Sequence, residues 1–405
     1  MIHKILKTIV RVFLILPLLY LLIVNIKLHY SPNIQKDGDF SINQPVIHQL
    51  NQLKNGLANE TDKAMQSIYP EGFMFLNALI GLTACDVAQT LDANSDLFQK
   101  QINLIDTTIE AVLSENGSAI FPKGLEMKHG AFYNGWSSYL IGRKLEIQPV
   151  EQRDSIDIQH FEMFCERMSL AYSENESPYL RSYGYGTWQA DNVVCIASLA
   201  LHDRIFTPKY ETLIQNWLVK VKAMLHPEIG LIGHKALDTT GKMLEASRGS
   251  SQSLMLNFLI DIDSTFAKEQ FAIYKEHFLD YRFGLPGVRE YPKGAIGSSD
   301  ADSGPVLLGI GGSASIVGIS VFAKYGDYET YAGLRNSVEA FGFGITLDKK
   351  RKYLFGALPI ADAFIGWVNG ANTQINQSKA RFSTWIFHLI SLTIIFGVGW
   401  IAVKI

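Results

Sequence analysis

Six segments with one shared pattern recur along this 405-residue chain at nearly constant spacing. Each follows a loop rich in Gly, Pro and aromatic residues, and each opens a run of apolar and small residues. The segments start near Tyr69, Tyr133, Trp188, Ala246, Asp302 and Pro359, so successive starts are 64, 55, 58, 56 and 57 residues apart. A period above about 50 residues fits a helical hairpin with an elaborated loop. Six hairpins predict an all-α (α/α)6 barrel whose inner-helix N-termini converge on one face.

The hydrophobic patterns divide the predicted helices into an outer and an inner set. The outer candidates are amphipathic, as surface helices are, and they cover 46–66, 95–114, 152–173, 208–226, 266–281 and 327–340. The inner candidates are apolar or small nearly all round, as buried helices are, and they cover 70–90, 133–147, 188–203, 246–262, 302–325 and 357–370. A further short pairing is predicted between Leu231–His234 and Met243–Glu245.

Both ends of the chain carry apolar segments long enough to cross a bilayer, which requires about 20 residues. These are Ile9–Ile26 and Trp385–Val403. A cleaved signal peptide is the alternative for the first, but no small-residue cleavage site follows it. We therefore predict four parts, namely an N-terminal transmembrane anchor (1–29), a tether (30–45), the barrel domain (46–372) and a C-terminal transmembrane helix (383–405).

The basic residues before the first apolar segment predict the orientation in the membrane. Lys4, Lys7 and Arg11 favour a cytoplasmic N-terminus, because Lys and Arg concentrate on the cytoplasmic side. Basic residues on the opposite side weaken this bias without reversing it. The barrel is thus expected outside the cytoplasm, in a periplasmic or extracellular position.

Charge and motif content exclude several classes of function. The net charge is −3 and there is no basic stripe, so no nucleic-acid partner is predicted. The odd, low count of cysteines (Cys85, Cys165 and Cys195) is no disulfide framework and favours buried free thiols. No histidine pair has metal-ligand spacing, and neither a Walker loop nor a Gly-x-Ser-x-Gly elbow is present. We predict no metal and no cofactor.

Four carboxylates at or just before inner-helix starts are the predicted catalytic residues: Asp191, Glu245, Asp300 and Asp302. The N-terminus of a helix stabilises negative charge, so Asp191 or Asp302 is expected to act as a base or to stabilise charge. Glu245 falls before its helix and is the better candidate acid. The competing interpretation is that the aspartates only cap their helices.

Polar and aromatic side chains around the same helix starts form the predicted substrate-binding set. They are His129, Tyr133, Trp136, Tyr183, Tyr185, Trp188, Asn192, Arg248, Gln252 and Arg289. Aromatic rings offer flat apolar faces to sugar rings or hydrocarbons. Carboxylates in different environments suit general acid–base chemistry, because their pKa values are pushed apart.

Four of these helix starts resemble a known family. They are Ala131-Phe132-Tyr133-Asn134-Gly135, Trp188-Gln189-Ala190-Asp191-Asn192-Val193, Asp300-Ala301-Asp302-Ser303-Gly304 and Leu354-Phe355-Gly356. Over about residues 70–370 the chain resembles the linalool dehydratase/isomerase family, extracytoplasmic lyases with an (α/α)6 barrel. The resemblance implies the fold. The catalytic cysteines of that family find no match, since residues around Tyr183 and Ala190 stand there and Cys195 lies further along the helix. The reaction therefore stays open.

Three functions follow as hypotheses. The first is a membrane-anchored extracytoplasmic enzyme that uses carboxylates on a glycan or similar polyhydroxylated substrate. The second is a lyase or isomerase of a terpenoid or other hydrophobic alcohol, and the third is a non-catalytic barrel that binds glycans or lipids. An open polar groove with Trp and Tyr would favour the first, and an apolar pocket with a single acid would favour the second.

Overall fold

The computed structural model describes residues 2–301, 303–375, 377 and 379–404, so the predicted catalytic residue Asp302 lies outside the described residues. The helices are α1 (Ile2–Lys27), α2 (Gln44–Leu57), α3 (Thr61–Ile68), α4 (Gly72–Ala88), α5 (Asp96–Leu113), α6 (Glu115–Ser118), α7 (Gly130–Ile147), α8 (Ser155–Glu174), α9 (Gln189–Ile205), α10 (Glu211–Lys222), α11 (Gly249–Ile262), α12 (Ser264–Phe278), α13 (Gly312–Lys324), α14 (Tyr328–Phe341), α15 (Pro359–Gly370) and α16 (Trp385–Lys404).

Short strands in the described residues form two-stranded antiparallel hairpins in the loops between helices. They are β1 (Ile34–Asp37) with β2 (Phe40–Asn43), β3 (Lys235–Ala236) with β4 (Met243–Glu245), β5 (Leu279–Arg282) with β6 (Leu285–Val288), β7 (Val306–Leu307) with β8 (Ile310–Gly311), and β9 (Ile345–Leu347) with β10 (Lys350–Lys352). The first pair occupies part of the predicted tether. The other four lie just before the inner helices α11, α13 and α15.

Six helices form a closed ring. Helices α4, α7, α9, α11, α13 and α15 each pack against the next, and α15 packs back against α4. Helices α2, α5, α8, α10, α12 and α14 surround this ring. The prediction of an all-α (α/α)6 barrel is confirmed, and the inner N-termini share one face.

The inner helices approach closely because small residues lie between them. Nearly all of α4 is buried, as its apolar composition predicts. A Cβ atom at Gly81 would lie 2.4 Å from Thr108 Oγ1 and 2.7 Å from a methyl carbon of Leu140. The outer helix α5 instead has one buried stripe, and Ser95 caps it by accepting a hydrogen bond from Phe98 N. Such a cap stabilises by about 1 kcal/mol.

Four aromatic side chains meet across the centre of the ring, and we call them the aromatic plug: Phe75, Trp136, Phe258 and Trp367. The ring centroids of Phe75 and Trp136 are 4.8 Å apart, and Trp136 lies 5.6 Å from Phe258 and 6.2 Å from Trp367. They come from α4, α7, α11 and α15, which include opposite sides of the ring. Trp136 is fully buried in this plug.

The fifth inner helix begins ten residues later than predicted, at Gly312 instead of near Asp302. Pro305 and two glycines with positive φ, Gly304 (58°) and Gly309 (84°), break the segment before it. These residues favour turns over helix, so the β7–β8 hairpin forms there. The predicted strand Met243–Glu245 is present, but its partner lies at β3 and not at 231–234.

Both terminal helices pack on each other and on the barrel. Helices Ile5–Lys27 and Trp385–Lys404 are long and apolar enough to cross a membrane. Asn25 Oδ1 accepts a hydrogen bond from Ser391 Oγ at 2.8 Å, which joins α1 to α16. Asn336 Nδ2 donates to Leu28 O at 2.9 Å, and Lys27 Nζ donates to Gly344 O at 2.6 Å. The pair therefore attaches beside the C-terminal end of α14, which lies at the face of the inner-helix N-termini.

Candidate active site

Arg248 organises a charged cluster just before α11. Its Nη1 and Nη2 atoms donate to the two carboxylate oxygens of Asp300, at 2.6 and 2.8 Å. Its Nε atom donates to Glu290 Oε1 at 2.7 Å. The long loop before α13 supplies both carboxylates, so a single guanidinium joins the start of one inner helix to the approach of the next. Two parallel hydrogen bonds of this kind combine charge with fixed geometry.

The two carboxylates on Arg248 have opposite pKa shifts. Glu290 is fully buried, and burial raises its pKa even though Ser250 and Arg248 donate hydrogen bonds to it. Partial burial acts in the same direction on Asp300. There, however, the hydrogen bonds from Arg248 and from Ser303 N outweigh burial and hold the pKa well below its usual range. Asp300 is therefore the ionised, solvent-reaching partner.

His234 connects Arg248 to a third carboxylate, that of Glu245. Its Nε2 atom lies 3.5 Å from Arg248 Nη1 and 3.9 Å from Glu245 Oε2, and its Nδ1 atom bonds to Ser251 Oγ. Glu245 Oε1 in turn accepts a hydrogen bond from Lys235 Nζ at 2.8 Å. The antiparallel register of β3 and β4 places Lys235 opposite Glu245.

Lys235 extends this chain of contacts to an aromatic ring. Its Nζ atom lies 4.8 Å above the centre of the Trp188 ring, and the two backbones form an isolated β-bridge. We call the whole chain of contacts the polar arc. In order it comprises Trp188, Lys235, Glu245, His234, Arg248 and Asp300.

Glu245 and Asp300 reach solvent, while the two residues between them in the polar arc do not. The side chains of Glu245 and Asp300 are each 44% exposed, whereas those of Arg248 and His234 are 6% and 2% exposed. The buried side chains of Arg248 and His234 thus contact two carboxylates that are half-exposed to solvent. This arrangement offers charge and proton transfer to a ligand lying along the surface of the arc.

Two buried glutamines at the adjacent helix starts have amide atoms without a hydrogen-bond partner among the described residues. They are both amide atoms of Gln189 and the Oε1 atom of Gln252. The other amide atom of Gln252 donates to Ile232 O at 2.5 Å. A buried polar group left unpaired costs about 1–3 kcal/mol. Both side chains are fully buried, so they are not part of the solvent-facing surface of the arc.

An aromatic wall continues from Trp188. The Tyr183 and Tyr185 rings stack at 5.9 Å, and Tyr183 meets Trp188 edge-on at 5.0 Å. Tyr185 is 81% exposed and offers an open ring face. His129 and Tyr133 lie behind the wall, where His129 Nδ1 bonds to Phe121 O at 2.8 Å and burial raises the pKa of Tyr133.

Several predicted site residues have structural contacts instead. Asn192 is fully buried, and its amide makes four hydrogen bonds, to Tyr172, Trp188 and both backbone atoms of Leu180. These bonds fix the loop before α9. Arg289 bonds to Tyr291 O and Ala295 O and pairs with Asp280, so it shapes its own loop.

Two further predicted residues lie inside the barrel. Trp136 belongs to the aromatic plug and is fully buried, so it offers no ring face to solvent. Asp191 lies in the first turn of α9 and is 5% exposed. The exposed parts of the arc are instead supplied by Glu245, Asp300 and Trp188.

Sequence reasoning missed His234, Lys235 and Glu290. The available signal was the strand pairing itself, since a β-hairpin ending at Glu245 must place another side chain opposite it.

Sequence reasoning also missed Asp362, in the first turn of α15. That carboxyl is 3% exposed, and its Oδ1 atom accepts a hydrogen bond from Tyr353 N at 2.8 Å. Burial raises its pKa to about 7, although the Tyr353 hydrogen bond opposes the shift.

Asp362 lines an apolar cavity of about 590 Å³. The cavity lies between the starts of α13 and α15 and the two terminal helices, and Leu21, Phe387 and Ile394 form part of its wall. A second cavity of about 270 Å³ lies at the C-terminal ends of the inner helices, where Asp86, Arg143, Arg204, Asp261 and Lys324 line it. Among the described residues, an apolar and a charged cavity therefore lie apart from the polar arc.

No known protein-family profile matches the chain, and no curated protein matches it. Solved structures do. One is the crystal structure of an unsaturated glucuronyl hydrolase specific for heparin, at 12% identity and a TM-score of 0.53, which covers 84% of this chain and 98% of that chain. Another is a GH76 α-mannanase of Bacteroides thetaiotaomicron, at 10% identity and a TM-score of 0.45, covering 74% and 86% of the two chains. The first likeness supports the barrel fold.

Proposed function

We propose that this protein is a glycan-acting enzyme whose chemistry takes place at the polar arc. The observation that carries the proposal is the pair of half-exposed carboxylates, Glu245 and Asp300, linked through buried His234 and Arg248. Pairs of carboxylates with different environments are the usual means of glycoside hydrolysis.

The two carboxylates have different roles in this proposal. The low pKa of Asp300 makes it a weak base, so it stabilises positive charge that develops on the sugar ring. Glu245 donates a proton to the glycosidic oxygen as the bond from that oxygen to the sugar carbon breaks, and a water molecule then adds to this carbon and returns a proton to Glu245. His234 Nε2 lies 3.9 Å from the Oε2 atom of Glu245. Arg248 keeps Asp300 in place and does not itself contact the substrate.

The charges of the arc favour a neutral glycan. Lys235 is paired with Glu245, and Arg248 is paired with both Glu290 and Asp300. Within the described part of the arc, neither cation is left to bind a uronate carboxylate. The partly exposed Trp188 ring suits the apolar face of a sugar. The structural neighbour specific for heparin is named for a glucuronyl substrate, so its name supports a glycan as the broad substrate class, while the neutral charge rests on the paired cations of the arc.

The test measures release of reducing sugar by the full-length protein in detergent, from neutral and uronate-containing oligosaccharides in parallel. Turnover of neutral substrates is expected. Asp300→Asn and Glu245→Gln should each lower it about 100-fold, the scale of general acid–base groups. Glu228→Gln removes an exposed carboxylate outside the arc and should leave turnover unchanged. Equal turnover in all three variants would reject the assignment.

A second function is favoured by one separate observation, the raised pKa of Asp362 in the apolar cavity. A protonated carboxyl there could donate its proton to the hydroxyl of a hydrophobic alcohol. Water would leave, and the carboxylate would take a proton from a neighbouring carbon to give an alkene. The resemblance to the linalool dehydratase/isomerase family suggested this reaction class, but the chain lacks the catalytic cysteines of that family, so Asp362 would have to supply the chemistry. Alkene formed from a terpenoid alcohol by the wild-type protein, but not by Asp362→Asn, would establish it in place of the glycan proposal.

A further inference from the structure

We propose that the apolar cavity binds the hydrocarbon chain of a lipid drawn from the surrounding bilayer. This binding site is separate from the polar arc and does not depend on the reaction assigned there. A volume of about 590 Å³ lies within the range of roughly 300–1,000 Å³ that is usual for small-molecule sites.

The position of the walls identifies the source of the ligand. Leu21 of α1 and Phe387, Ile390 and Ile394 of α16 line the cavity from the side of the two membrane-length helices. Ile394 lies nine residues into α16, or roughly 13 Å along a helix with a rise of 1.5 Å per residue. That depth belongs to the hydrocarbon core of a bilayer when α16 spans it. Lipid chains are the molecules present at that level.

Turns around the cavity have bulky apolar side chains where glycine or asparagine is usual. Phe283 (φ 53°), Leu308 (φ 53°) and Phe355 (φ 59°) adopt left-handed backbone conformations, and each is followed by a glycine. Their side chains are 57%, 64% and 69% exposed. A non-glycine residue in this conformation costs on the order of 1 kcal/mol or more. Exposed apolar tips beside membrane-length helices are explained by contact with lipid.

The polar lining agrees with a lipid whose headgroup lies at the partly exposed Arg282, while its hydrocarbon chain fills the apolar interior of the cavity. Arg282 lies on the cavity wall beside the Phe283 turn, where its Nε atom donates to Leu308 O at 2.9 Å and Asp280 partly offsets its charge. A basic side chain at this level favours the phosphate region of a bilayer. The loop before α13 contributes to both sites at different points, because Asp300 belongs to the polar arc and Pro305, Leu307 and Ile310 line the cavity.

The test is photo-crosslinking of the full-length protein in phospholipid nanodiscs. The probe is a phosphatidylethanolamine with a diazirine near the end of one acyl chain, and the labelled peptides are mapped by mass spectrometry. We expect labels in 305–316 and 354–365, which lie on the barrel side of the cavity. The same lipid with its diazirine on the headgroup should label neither segment at comparable yield.

Two variants separate cavity binding from general contact with lipid. Ala361→Phe fills the cavity and should lower labelling of both segments about tenfold, the loss expected when roughly two methylene groups leave an apolar site. Ala357→Phe adds the same ring four residues earlier, at an exposed position outside the cavity lining, and should label as wild type. Labels confined to the outer surfaces of α1 and α16 in wild-type protein would overturn the proposal, as would undiminished labelling in a folded Ala361→Phe protein.

Discussion

Both oxygens of the Asp300 carboxylate are bound by the guanidinium of Arg248, with Nη1–Oδ2 at 2.6 Å and Nη2–Oδ1 at 2.8 Å. The third donor of the same side chain holds the buried Glu290. One arginine therefore serves an exposed and an enclosed carboxylate at once. Lysine cannot reproduce this fork, because its ammonium is a single point of charge.

Replacing Arg248 should reveal this double role through stability. Arg248→Met leaves the fully buried Glu290 without its cation, so we expect the free energy of unfolding to fall by about 3–5 kcal/mol. Arg248→Lys keeps a charge and should cost less. Denaturant unfolding monitored by circular dichroism measures both. In the double variant Arg248→Met/Glu290→Gln most of the loss should be recovered, and no recovery would refute the role given to Glu290.

Asp362 should make stability depend on pH near neutrality. Its folded-state pKa of about 7 lies above the ordinary value of 3.8. Between these values the unfolded chain ionises the carboxyl while the folded chain keeps it protonated, so this group's contribution is full below pH 4 and is lost as the pH rises through 7. Asp362→Asn should therefore be more stable than wild type at pH 8, by roughly 2–4 kcal/mol.

Thermal unfolding of the Asp362→Asn protein at pH 4, 6 and 8 provides the measurement. Its advantage over wild type should grow with pH. Asp39→Asn, at an exposed turn between β1 and β2, is the matched control and should follow the wild-type pH dependence. A constant difference between Asp362→Asn and wild type at all three pH values would contradict the raised pKa.

Trp188 should affect substrate affinity more than turnover. Its ring carries Lys235 on one face and meets Tyr183 at its edge, so it is held in one orientation beside Glu245. Trp188→Ala should raise KM about tenfold with a smaller change in kcat, because ring stacking binds substrate and transition state alike. Trp400→Ala, at the far end of α16, should change neither constant. A purely catalytic defect in Trp188→Ala would contradict a binding role.

Gly81 tests the close packing of the ring. A Cβ atom there would lie 2.4 Å from Thr108 Oγ1, so Gly81→Ala should destabilise the protein by about 1–3 kcal/mol despite alanine's better helix propensity. Gly124→Ala places a methyl group in open space and should change stability by less than about 0.5 kcal/mol. Equal unfolding free energies for the two variants would show that the ring relaxes around Gly81.

The barrel could be predicted from the sequence because the inner helices bury every side and the outer helices only one. This contrast in hydrophobic pattern can be read from the sequence of each helix alone, without knowing which helices pack together. The polar arc was predicted in part, since Trp188, Glu245 and Arg248 stand at or just before inner-helix starts that a ring must bring together. Asp300 was also predicted, although it lies in the loop before α13 and not at the start of that helix. The delayed start of α13 was missed because an aspartate-rich segment before an apolar run resembles a helix cap.

The remaining parts depend on contacts between distant residues. His234 is a lone histidine in a loop, and only its approach to Arg248 and Glu245 gives it a role. Glu290 meets Arg248 across 42 residues of chain. Burial raises the pKa of Asp362, which lies against Tyr353 at the start of α15. The spacing of residues in the sequence does not reveal that burial.

The aromatic plug bears on whether a small molecule can pass along the axis of the ring. Phe75, Trp136, Phe258 and Trp367 close the bore between the inner-helix N-termini and the charged cavity at the opposite end. Among the described residues, the plug therefore separates the face of the inner-helix N-termini from the charged cavity at the opposite end. Substitutions that fill or widen the charged cavity are thus expected to leave the polar arc unaffected, and the reverse.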